Sequence, residues 1–171
     1  MLVIALWILG ILALIQGAWL LARLRAEDPG QWAEVRPPGV EARLRLHPGW
    51  TTGKNGEADF RTGVPGAVLR IAELAHAEPA EGDLERRFER LVTGSGLSLD
   101  EPKPEPFQAV SGPGVRVASA GTAPDGARGW FEFHLVQGPG RDLALIYRCP
   151  VLSGSVDTRT LSRTAESVRF P

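Results

Sequence analysis

The chain has 171 residues, a formal net charge of -1 and 23% charged residues with the two signs interspersed. That balance leaves no basic face for nucleic-acid capture, and a lone cysteine, Cys149, excludes an internal disulfide. The 20 glycines and 14 prolines fall mostly between patterned segments, where they punctuate many short elements.

Residues 2–22 carry no charge, and Gln16 is their one strongly polar side chain. As a helix this stretch would span about 30 Å, the thickness of the hydrocarbon core of a bilayer. In lipid only a helix or a closed barrel satisfies the backbone, so the run predicts one transmembrane helix within residues 1–25. Trp7 and Trp19 suit the two interfaces, and Arg23 and Arg25 end the apolar run. A cleaved signal peptide fits less well: no Lys or Arg precedes the run, and Ala22-Arg23-Leu24 is a poor cleavage site. The segment therefore reads as a retained signal-anchor. Gly10, Ala13 and Gly17 make a small-residue face with Gln16 beside it; it either packs on a second helix or simply meets lipid. The position of Arg23 and Arg25 after the helix points the remaining chain toward the cytoplasm.

Residues 26–39 contain turn formers and no period, and read as a spacer with Pro37-Pro38 extended. Trp32 either lies at the membrane surface or covers an edge of the domain. A soluble domain follows over residues 40–171. Residues 40–47 alternate, with Val40, Ala42, Leu44 and Leu46 on one face, which predicts a half-buried strand ending at Pro48-Gly49-Trp50. Residues 58–62 and 67–76 predict two further strands, the second apolar enough to be central. The period then changes. Leu84, Phe88, Leu91 and Val92 share one helical face behind Asp83, an N-cap residue type, and Gly94 and Gly96 close the helix. After a proline-spaced connector at 101–106, residues 107–110, 115–123, 129–137 and 142–149 predict four more strands. The intervening Ser-Gly-Pro-Gly, Pro-Asp-Gly-Ala and Gly-Pro-Gly read as turns. Leu161, Ala165 and Val168 recur at helical spacing in a final helix. Strands broken by two helices predict an α+β fold, an antiparallel sheet of about seven strands with two packed helices, behind one transmembrane helix.

This order resembles the PsbP/DcrB-like fold. The resemblance covers residues 40–171 and rests on the opening strand running into Pro48-Gly49-Trp50, the helix at 84–92, and the ending Ala165-Glu166-Ser167-Val168-Arg169-Phe170. Members include photosystem extrinsic subunits, bacterial envelope lipoproteins and chaperones of secreted effectors. The resemblance implies a compact, non-enzymatic binding module and carries no site residues onto this chain. It also implies an extracytoplasmic location, against the lean of Arg23 and Arg25, although a transmembrane helix here replaces the lipidated cysteine of the lipoprotein members.

The residues themselves carry little catalytic signal. Of His47, His76 and His134, only His134 has a ligand-type neighbour on its own strand face, Glu132, and two groups are too few to define a metal site. The alternation puts Trp130, Glu132 and His134 opposite Phe131, Phe133 and Leu135, so the polar set reads as the wet side of the sheet. There it either lines a groove with Trp130 as a partner anchor, or lies under a helix. Cys149 has no motif around it and reads as a packed thiol. Gly94-Ser95-Gly96 lacks the spacing of a nucleophile elbow, and Gly112-Pro113-Gly114 and Gly138-Pro139-Gly140 cannot cradle phosphate. The expectation is a membrane protein with one span and no cofactor, metal or nucleic-acid partner. Its domain binds another protein or assists assembly, the alternative being a small-molecule or metal-binding sensor or a divergent hydrolase.

Overall fold

The computed structural model describes residues 28–52, 59–61, 64–75, 83–150 and 155–171, together with Gln16. The proposed anchor with Gly10, Ala13 and Gly17 lies outside the described residues. Among the described residues no helix is long and apolar enough to cross a membrane.

Strands β1 (Ala33–Val35), β2 (Leu44–Leu46), β3 (Thr51–Thr52), β4 (Asp59–Arg61) and β5 (Val68–Ala75) precede helix α1 (Leu84–Gly94). Strands β6 (Ser98–Leu99), β7 (Glu105–Ala109), β8 (Gly112–Thr122), β9 (Arg128–Gln137) and β10 (Arg141–Cys149) follow, and helix α2 (Ser155–Glu166) comes last. The main sheet runs β3-β4-β5-β10-β9-β8-β6, with β7 paired to β8 as well, and every pairing is antiparallel. It thus has eight strands rather than about seven. β3 and β6 are two-residue strands, too short to print a period of two on the sequence. β1 falls inside the stretch that reads as a spacer, where it pairs with β2 in a separate two-stranded sheet.

β10 lies between β5 and β9, as its nearly continuous apolar run predicts, because a strand buried on both faces has no polar side. On one face Phe131, Phe133 and Leu135 of β9, Val115 and Val117 of β8 and Ala144 of β10 pack with Phe88 of α1. On the other, Val136, Leu143, Leu145 and Tyr147 pack with Leu44 and Leu46 of β2, Leu161 and Ala165 of α2, and Val168. Each helix covers one face. Gly112-Pro113-Gly114 is strand rather than turn: Pro113 of β8 pairs with Gln108 of β7, and the register with β9 begins only at Gly114, so proline's missing donor falls at the end of that ladder. A Cβ at Gly114 would stand 2.4 Å from the Phe107 ring, so glycine there is what lets Phe107 lie across β8.

α1 is held by more than its apolar stripe. Arg87 grips Asp142, at the start of β10, through Nε to Oδ2 at 2.6 Å and Nη2 to Oδ1 at 3.3 Å, and Asp142 is 1% exposed. Asp83 stands at the N-cap, but its side chain makes no capping hydrogen bond. The segment before β2 is fastened as well. Trp32 is buried and meets His47 edge-to-face at 5.4 Å, so it covers the domain. Glu73 of β5 accepts the backbone N–H groups of Glu41 and Ala42 at 2.6 and 2.9 Å and an Arg141 N–H at 3.1 Å. Burial pushes the Glu73 carboxyl upward, but the Ala42 N–H, the Arg141 guanidinium and the Glu41 N–H together hold it below the usual glutamate range.

Two outcomes follow. Asp142→Ala removes the buried partner of this ion pair, and we expect a loss of about 3 kcal/mol in urea unfolding. Because the Glu73 pKa is depressed in the folded state, its contribution is present above the unfolded value and is lost as pH falls through the folded one. Glu73→Gln should therefore flatten the acid limb of a stability–pH curve below about pH 4.5 and leave a lower plateau at neutral pH.

Candidate functional site

Trp130, Glu132 and His134 do come together, but on the floor of a cavity rather than on a wet face. Glu132 and His134 are each 1% exposed, and Trp130 is half-buried. The alternation along β9 is as expected; what differs is the cover, because α2 lies on this face and brings Thr158 and Ser162 over it. Their i, i+4 spacing sets both hydroxyls on one stripe of the helix. Across the sheet His134 sits between Leu145 of β10 and Arg116 of β8, while Glu132 sits between Tyr147 and Ala118. Phe107 closes the end of the row, its ring edge-to-face with His134 at 5.9 Å.

The hydrogen bonding is lopsided. Glu132 Oε1 accepts two donors, Trp130 Nε1 at 2.8 Å and Thr158 Oγ1 at 2.5 Å. Glu132 Oε2 accepts none, and neither His134 Nδ1 nor Nε2 has a hydrogen-bond partner. Oε2 and Nε2 approach to 3.5 Å, an ion-pair distance if the imidazole is protonated, without the geometry of a hydrogen bond. Buried polar atoms are nearly always paired, because each unpaired one forfeits its hydration at a cost of about 1–3 kcal/mol. Here three such atoms lie in two side chains on one face of β9.

The cavity above them is about 360 Å³. Glu101, Lys103 and Glu105 of the proline-spaced connector form its rim, and Arg116, Thr158 and Ser162 its wall. Arg116 ties that wall together, donating through Nη1 to Ser162 Oγ at 3.0 Å and through Nη2 to Glu105 Oε2 at 3.2 Å. β7, β8 and α2 are thereby held at one fixed separation. The signal for these partners was present in the sequence but mute: Arg116 is the one charged side chain among residues 115–123, and nothing local says that it faces a helix more than forty residues on.

The other sequence candidates fall elsewhere. Cys149 is 1% exposed, cross-strand from Trp130, and packed in the core on the α2 side. His47 accepts the Gly49 N–H at Nδ1, 3.0 Å, beside Trp32. His76 lies outside the described residues. Ser95 donates to the Val92 carbonyl and closes α1. Among the described residues no group of three His, Cys, Asp or Glu side chains could hold a metal ion.

The fold can now be compared with known proteins. It is similar to the solution structure of cyanobacterial PsbP (CyanoP) from Synechocystis sp. PCC 6803, with a TM-score of 0.55 over 81% of this chain and 92% of that one. The chain has a PsbP-like fold. Sequence identity is 10%, so the likeness is one of fold alone. No family model and no curated protein matches the chain.

Glu132→Gln keeps the oxygen that Trp130 and Thr158 share, and we expect it to leave the Trp130 indole N–H resonance nearly in place. Glu132→Ala removes that acceptor; the resonance should move, and urea unfolding should register a loss of about 1–3 kcal/mol.

Proposed function

We propose that the domain is a non-catalytic binding module that takes a small polar ligand into the cavity between β7–β9 and α2. The observation that carries this reading is the set of buried atoms without hydrogen-bond partners, Glu132 Oε2 and the two His134 ring nitrogens, in two residues that line the cavity. A preformed concavity with a few convergent polar groups is the usual form of a small-molecule site. Binding rather than turnover is favoured by what surrounds the floor. Thr158 is engaged with Glu132, Ser162 with Arg116, and Cys149 packs in the core. The apolar run at residues 2–22 would tether this module to a membrane.

A protein-binding or assembly-assisting role is the second reading, and one feature favours it. The outer edge of β7 has no strand partner among the described residues, and Val110 just beyond it is 62% exposed. Such an edge can accept an added strand.

A ligand bound only by the folded state raises the melting temperature, by the equivalent of about 2.7 kcal/mol at a hundredfold excess over Kd. We expect at least one member of a broad panel of small polar compounds to do so with the full chain in neutral detergent, and Ala118→Leu to weaken the shift. Ala118 is exposed at the cavity wall, facing Glu132 from β8. A flat response across the panel would remove the cavity reading.

A further inference from the structure

Resting on that reading of the cavity, we infer that the ligand presents a primary ammonium group, which docks on Glu132 Oε2. Glu132 Oε1 is already saturated by the Trp130 indole N–H and the Thr158 hydroxyl, so Oε2 is the one acceptor left without a hydrogen bond, buried beside His134 under the cavity. Only a donor or a cation satisfies it. A guanidinium fork is strongest on both oxygens of a carboxylate, and one is occupied; a quaternary ammonium brings charge but no N–H, and would leave the oxygen without a donor. An ammonium has three donors. One meets Oε2, and a second can meet a His134 ring nitrogen 3.5 Å away.

Charge agrees with this choice. Three carboxylates line the cavity, Glu101, Glu105 and Glu132, against the two cations Lys103 and Arg116. Arg116 is bound to Glu105 and Ser162, which leaves Lys103 on an exposed rim that also carries Glu101, with Glu132 buried below. The floor, where the dielectric is lowest and interactions are strongest, is the negative end. The Trp130 ring lines the same wall and adds a surface that favours cations. A metal ion is the weaker candidate because Glu132 and His134 have no third protein ligand among the described residues.

The test uses the full chain in neutral detergent, labelled with ¹⁵N, read at the Trp130 indole N–H and the His134 ring nitrogens. Butylamine and 1,4-diaminobutane are titrated against butanol, butyrate, tetramethylammonium and zinc chloride. We expect the two amines to move these resonances saturably and the others to fail. Glu132→Gln, with its indole resonance in place to report an intact floor, should weaken amine binding at least tenfold. If butanol, butyrate, tetramethylammonium or zinc binds there as well as or better than the amines, or if Glu132→Gln binds amines undiminished, the ammonium inference is overturned while the cavity reading stands. If nothing in the set, nor in the wider panel, perturbs the floor, both are overturned.

Discussion

The structure depends on β9 and β10 being buried on both faces at once. Strand side chains alternate, so covering both sides of this pair requires two separate layers, and the chain supplies α1 for one and α2 with β2 for the other. Each cover is then fixed by a polar contact that hydrophobic packing alone would not specify. Arg87 on Asp142 sets where α1 meets β10, and Arg116 on Ser162 sets where α2 meets β8. Apolar surfaces slide; a charged fork on one carboxylate or hydroxyl does not.

The two sides of the sheet are therefore chemically unequal. Under α1 lies a continuous apolar layer of Phe88, Phe131, Phe133 and Leu135. Under α2 that layer holds toward β5 and gives way to Arg116 of β8 and His134, Glu132 and Trp130 of β9, and the helix presents hydroxyls to them instead of leucines. A domain selected for stability alone would do better with apolar residues at Glu132 and His134, since removing both partners of a buried polar set is often neutral or stabilising. That Glu132 Oε2 and both His134 ring nitrogens are kept without hydrogen-bond partners is the physical argument for recognition.

The first described segment belongs to the same body. The backbone of Glu41 and Ala42 rests on Glu73, Arg43 exchanges backbone hydrogen bonds with Arg169, and Trp32 is buried against His47. Residues 32–46 are thus fastened to the domain through a strand pair and the half-buried Glu73 carboxylate.

By itself the sequence determined the order of strands and helices, the antiparallel α+β class, the central place of β10 and the shared face of Trp130, Glu132 and His134. All of these follow from local period, since side-chain direction repeats every two residues in a strand and every 3.6 in a helix. It also carried the resemblance that the PsbP-like fold makes good. What lies opposite a face has no local signature. Burial of Glu132 and His134 depends on α2, more than twenty residues further along the chain, and the anchoring of Glu73 on residues 41 and 42 spans 31 residues or more. The two-residue strands β3 and β6 likewise exist only because a longer neighbour offers hydrogen bonds. Tertiary structure decided that the polar face of β9 was covered as well as the apolar one, and so turned an apparent wet surface into the lining of a cavity.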